Sequence, residues 1–149
     1  MKILIYDTSA RGSGAYNAAL AIHKGLIKQG VKSFFFSQFG LINQNKKDLD
    51  YFKKKIIHRI NIIKNNFLLT KYKKKNILFS NTNFFYSDVI KTINKIKPDI
   101  VHLNWVAQGN INLKKIFSLE IPIVITMQDY WFFTGGCHYT LGCKKYEKY

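Results

Sequence analysis

The chain has 149 residues, 24 of them Lys or Arg against 8 Asp or Glu, for a formal net charge of +16. Its apolar fraction of 47% and aromatic fraction of 15% exclude a disordered basic tail, and the length suits one domain, residues 1–149, with a real core. No apolar run approaches the roughly 18 residues of a membrane span, the run Ile3–Tyr6 is broken by Asp7 and does not read as a signal peptide, and two cysteines build no disulfide framework, so a cytoplasmic setting with reduced thiols is expected.

The charge is almost all lysine; Arg11 and Arg59 are the arginines. Ile, Asn, Phe and Tyr, whose codons are also AT-rich, are abundant, so genome composition could supply much of the +16. There is no recognised nucleic-acid motif and little arginine for base readout, so no specific nucleic-acid partner is expected.

Lys2–Tyr6 predicts a buried strand, and Asp7–Gly14 (DTSARGSG) a loop. Ala19, Ile22, Leu26 and Ile27 recur at helical spacing and predict a helix over Ala15–Gln29, ended by Gly30. Val31–Phe36 is the next strand, completing a β-loop-α-β crossover unit. Residues 37–50 read as a polar connection. Tyr51–Leu69 carries apolar residues at 52, 56, 60, 63 and 67, one face of a helix expected to cover the core, with Lys53, Lys54, Arg59 and Lys64 on the other face. Residues 46–75 hold 11 basic residues and two acids, Asp48 and Asp50. A short strand is predicted at Ile77–Phe79, a helix at Ser87–Ile96 capped by Ser87 and a strand at Asp99–Leu103. A short helix at Asn112–Leu119 and a buried strand at Pro122–Met127 follow, then a loop-like tail from Gln128. Alternating strands and helices predict a Rossmann-like α/β domain, an open parallel sheet with flanking helices.

Such sheets bind ligands at the carboxyl ends of their strands. Here those ends are Asp7–Gly14, Asn104–Gly109 and Gln128–His138. Gly12-Ser13-Gly14 opens a helix, where backbone N–H groups could meet a phosphate; the same residues would also serve a tight β-α turn. A dinucleotide fingerprint is not met, because its third glycine would fall on Asn17. His102 alternates with buried positions and reads as a satisfied core histidine. Asn104 and Trp105 leave the strand end, where the indole could stack on a sugar or nucleobase or cover the core. Asp129 could accept a sugar hydroxyl, act as a base, or cap the following turn. Cys137, His138 and Cys143 are too irregularly spaced to predict a metal site.

With those residues in view, VITMQDYWFFTGGCHYTLGCKKY (124–146) resembles a signature of bacterial family-4 glycosyltransferases of the colanic-acid and capsule type. DIVHLNW (99–105), SARGSGAYNAALAIHKGL (9–26) and FSNTNF (79–84) are similar to further segments of that family, in order; the match is weakest over 37–76. The Thr134-Gly135-Gly136-Cys137-His138-Tyr139 run is the most specific part. The resemblance implies a GT-B enzyme of two Rossmann-like domains, in which this chain is the amino-terminal, acceptor-side domain, incomplete and without the donor domain. It implies transfer from a nucleotide-sugar with retention of configuration, no metal and no cofactor. By the same resemblance, Asp129 and, more weakly, Gln128 are the catalytic candidates. Gly12, Ser13, Gly14, Asn104, Trp105, Trp131, Thr134, Gly135, Gly136 and His138 are the substrate-binding candidates. The family's glycine pair appears as Ser13-Gly14, and two of its histidines as Asn104 and Gln128, which hydrogen-bond but exchange no proton near neutral pH.

The resulting expectation is the acceptor-side half of a retaining glycosyltransferase of cell-surface polysaccharide biosynthesis. It would act on a saccharide or lipid-linked acceptor, be inactive alone, and have a separate donor-domain chain as its partner. The alternatives are a basic peripheral module held on anionic membrane by residues 46–75, or a non-functional gene relic. The same basic helix has the plainer reading of a solvated face over a core stripe.

Overall fold

The computed structural model describes residues 1–37, 40–41, 49–70, 79–80 and 89–148. Within these the order is β1 (Lys2–Asp7), α1 (Gly14–Lys28), β2 (Lys32–Ser37), β3 (Gly40–Leu41), α2 (Leu49–Leu69), α3 (Val89–Ile96), β4 (Ile100–Leu103), α4 (Leu113–Phe117) and β5 (Ile123–Ile125). A 3₁₀ turn at Lys145–Lys148 follows. The sheet order is β3-β2-β1-β4-β5, with β2, β1, β4 and β5 parallel and the two-residue β3 antiparallel at one edge. The chain steps outward from β1 to β2 and β3, then returns to the other side of β1 to lay down β4 and β5. The β1–β4 junction is therefore the point where strand order reverses, the place where sheets of this kind bind ligands.

Strand alternation distributes β1 over two cores. Ile3 and Ile5 pack with Tyr16 and Ala19 of α1 and with Phe35 of β2. Leu4 and Tyr6 face the other way, into Val89 and Ile93 of α3, Ile116, Val101, Leu103 and Trp131. Fully burying a side chain such as Leu4 or Ile5 contributes roughly 1.5–3 kcal/mol. The sheet is thus covered on both faces, as its apolar strands require.

α1 begins where Ser13 accepts the Tyr16 N–H on its hydroxyl at 3.3 Å. It ends at Gln29, and Gly30 takes a φ of +75° so that its N–H and that of Val31 reach Ile27 and Leu26 carbonyls. α4 is capped by Asn112, whose side chain accepts from Lys115 N–H at 3.1 Å.

Two expectations are corrected. On α2 the apolar stripe faces outward: Ile56, Ile60, Ile63 and Phe67 are 55%, 42%, 66% and 72% exposed. The inward face is polar, with Asn61 and Asn65 buried, Lys54 over the Phe36 ring, and His58 Nδ1 2.9 Å from Asn110 Oδ1. Helical periodicity finds a stripe but does not say what that stripe faces. Here the helix lies against loop groups such as Asn110 and the Phe79 carbonyl, which call for polar partners. Secondly, β5 is an edge strand of three residues with Val124 48% exposed, so it is not buried as its apolar composition suggests. Ile77, Leu78 and Ser87 lie outside the described residues; Phe79 forms an isolated bridge to Cys137.

No described helix is long and apolar enough to cross a membrane.

Candidate functional site

β1 ends on Asp7, whose side chain is buried. Its Oδ1 accepts from the Ser9 N–H at 2.9 Å and from the Ser9 hydroxyl. Its Oδ2 accepts from Asn104 Nδ2 at 2.8 Å and from the Trp105 N–H at 3.3 Å. Four donors offset the cost of taking a carboxylate out of water. Asn104 Nδ2 also donates to the Ala15 carbonyl at 2.9 Å, and its Oδ1 accepts from Gln128 Nε2 at 3.1 Å. One buried amide therefore ties the ends of β1 and β4, the segment after β5 and the first turn of α1 together.

Trp105 carries the connection onward. Its Nε1 donates to Asp129 Oδ2 at 2.9 Å, and its ring lies 5.7 Å from that of His138. Asp129 Oδ2 also accepts from His138 Nδ1 at 2.6 Å, and Oδ1 accepts from the Trp131 N–H at 3.1 Å. His138 Nε2 is 2.7 Å from Ser80 Oγ, which accepts the Gln108 N–H at 2.8 Å. In the neutral ring, a proton held on Nδ1 by the carboxylate leaves Nε2 to accept the Ser80 hydroxyl hydrogen. The bond order Ser80–His138–Asp129 matches that of a nucleophilic triad. Ser80 and His138 are both buried, however, and Ser80 Oγ already holds a backbone amide, so the arrangement fastens loops.

The remaining predicted residues are placed as follows. Gly12–Gly14 forms the entry to α1, with the Ser13 hydroxyl engaged in capping and Asn17 Nδ2 on the Gly12 carbonyl at 3.2 Å. Trp131 is in the core beneath the sheet. Thr134 Oγ1 donates to the Cys137 carbonyl at 2.6 Å and closes the Thr134-Gly135-Gly136-Cys137 turn. Gly136 has a φ of +133°, and a Cβ there would lie 2.6 Å from the Phe79 ring and 2.7 Å from the Ser80 carbonyl oxygen. That glycine lets residues 79–80 dock, with Ser80 N–H on the Gly136 carbonyl at 2.9 Å. His102 lies in β4 with Nε2 2.7 Å from Thr126 Oγ1, and burial pushes its pKa below the ordinary histidine value. Neither Cys137 nor Cys143 is in a disulfide. Among the described residues no three His, Cys, Asp or Glu side chains gather as a metal set.

Sequence reasoning did not select Asp7, Ser80 or Gln108. Asp7 carried a signal, as a carboxylate closing a buried apolar strand. Gln108 fell in the Asn104–Gly109 strand end and Ser80 in FSNTNF, but nothing local singled out either, because their importance depends on loops far apart in sequence. On the same segment as Asp129 and His138, Gln128, Met127, Tyr130, Phe133 and Tyr139 are exposed. Tyr130 and Phe133 meet edge to face at 5.3 Å. Hydrogen-bonding groups beside aromatic faces suit a polyhydroxylated ligand with an apolar C–H face.

Across 99% of its length the chain is 25% identical to an Escherichia coli (strain K12) protein named "Putative colanic acid biosynthesis glycosyl transferase WcaC". The similarity supports a glycosyltransferase relationship. The chain spans 38% of the length of that relative. No family model matches the chain, and no solved structure matches it significantly. The aligned stretch includes both hydrogen-bonded networks, because it takes in nearly all of these residues.

Proposed function

We propose that this chain is the acceptor-side part of a GT-B glycosyltransferase. The enzyme would transfer a sugar from a nucleotide-sugar, with retention and without a metal, to a saccharide or lipid-linked acceptor. The setting would be cell-surface polysaccharide synthesis on the cytoplasmic side of the membrane. The observation that carries this reading is the convergence of Asn104, Gln128, Trp105 and Asp129 at the strand-order reversal, in a chain similar along its length to a glycosyltransferase.

On this reading each group has a physical task. Gln128, at the exposed end, offers its amide to a sugar hydroxyl while Asn104 holds it in place. Asp129 orients the Trp105 ring, on which a sugar face stacks. An ionised carboxylate has about four acceptor positions. Three are occupied, which leaves one for an acceptor hydroxyl. The amino end of α1 at Gly12–Gly14 carries the partial positive charge that favours phosphate. The donor would sit mainly in a domain beyond these residues.

Saturation-transfer NMR with a panel of neutral hexoses and deoxyhexoses tests acceptor recognition. Transfer to sugar ring C–H protons is expected, and is expected to fall in Trp105→Ala and Gln128→Ala. No transfer to any sugar, or transfer unchanged in both variants, would remove the reading. With nucleotide-sugars added, the chain alone is expected to give no product.

A further inference from the structure

We propose that the outward face of α2 docks on an anionic lipid bilayer. The helix has 21 residues, about 30 Å at 1.5 Å per residue. At about 100° per residue, Ile56, Ile60, Ile63 and Phe67 fall within a band of roughly 60°. All four are exposed, as is Ile57 beside them. That is a continuous apolar stripe along three turns, while the opposite face is engaged through Lys54, His58, Asn61 and Asn65. Single exposed apolar side chains are ordinary; a contiguous stripe on one helix marks an interaction surface.

Charge selects the occupant. Lys53 and Lys64 fall on one flank of the stripe and Arg59 on the other, and all three are exposed. Long basic side chains beside an apolar stripe can lay their stems along lipid and extend their charges to phosphate. The helix carries five basic residues, Lys53, Lys54, Lys55, Arg59 and Lys64, against Asp50. The sequence adds Lys46 and Lys47 before it, and Lys71, Lys73, Lys74 and Lys75 after it. A second copy is a poor occupant, because a two-fold contact would set these cations against one another. An anionic bilayer answers both features, with acyl chains for Ile and Phe and headgroup phosphate for Lys and Arg.

The proposal stands on α2 and does not require transferase activity, so it can fail while sugar recognition holds. Co-sedimentation of the full chain with phosphatidylcholine vesicles, with and without phosphatidylglycerol, tests it. Binding is expected with phosphatidylglycerol and is expected to weaken as salt rises. Ile60→Ser with Ile63→Ser should weaken it more than about tenfold. Lys53→Gln with Arg59→Gln and Lys64→Gln should cost about fivefold or more per charge. These positions are exposed, so circular dichroism should be unchanged. Failure to bind phosphatidylglycerol vesicles would overturn the proposal, as would binding undiminished by the isoleucine substitutions. A dimer in sedimentation velocity that Ile63→Ser dissociates would also overturn it, by giving the stripe to a second copy.

Discussion

Asn104 Nδ2 lies 2.8 Å from Asp7 Oδ2, a bond between residues 97 apart in sequence. Both side chains are buried, and the same amide reaches Ala15 and Gln128. A histidine at position 104, as the family resemblance would have it, would present a ring in place of this two-ended amide. Asn104→Asp removes the donor and sets a second carboxylate against Asp7. It should destabilise the fold by about 3 kcal/mol. Urea denaturation at neutral pH measures this, and a loss under about 1 kcal/mol would show that the bond matters little.

Asp129 takes three donors, two of them on Oδ2. Asp129→Asn keeps the shape but replaces an acceptor pair with an amide carrying hydrogens. If the amide oxygen takes the Oδ2 position, the Trp131 N–H meets the amide nitrogen; if the nitrogen takes it, Trp105 Nε1–H and His138 Nδ1 both do. A loss of about 2–3 kcal/mol is expected in denaturant titration. The near-ultraviolet dichroism of Trp105 should change while the helical signal stays.

Two glycines in one turn should behave differently. Gly136→Ala places a methyl against the Ser80 carbonyl and the Phe79 ring at a φ of +133°, so about 3 kcal/mol or more should be lost. Gly135 has a φ of +75° with open space around its Cβ direction, so Gly135→Ala should cost only about 1–2 kcal/mol. Equal effects in thermal melts would contradict the close approach of residues 79–80.

Burial lowers the pKa of both His23 and His102 from the ordinary 6.5. A lowered folded-state pKa means that the unfolded chain takes up the proton first. Their contribution is therefore complete above pH of about 6.5 and is lost as pH falls below it toward the folded-state values. The urea midpoint should drop between pH 7.5 and 5.5, and His23→Gln with His102→Gln should flatten that drop. A midpoint that rises on acidification would reverse the assignment.

The elements themselves were legible because they depend on local chemistry. The apolar run of β1, the 3.6-residue spacing of α1 with Gly30 behind it, and the IVHL and IVI runs each announce their type within a few residues. Residues at the carboxyl ends of strands could likewise be chosen as site candidates, since parallel topology places ligands there. That choice found Asn104, Trp105, Gln128, Asp129 and His138, which the structure joins by bonds or ring contact. It did not separate Trp131, which fills the core, from Trp105, which bridges two networks.

Sequence alone determined the α/β class, the parallel order implied by alternating elements, and the segments that meet at the strand ends. Tertiary structure decided which way faces point and which distant groups pair. Asp7, Ser80 and Gln108 gained their roles only when loops 28 to 97 residues apart closed on one another. The stripe on α2 has the same period whether it faces a core or solvent. What turned it outward was the polar loop surface beneath, which engages His58 and Asn65 and leaves isoleucine and phenylalanine exposed.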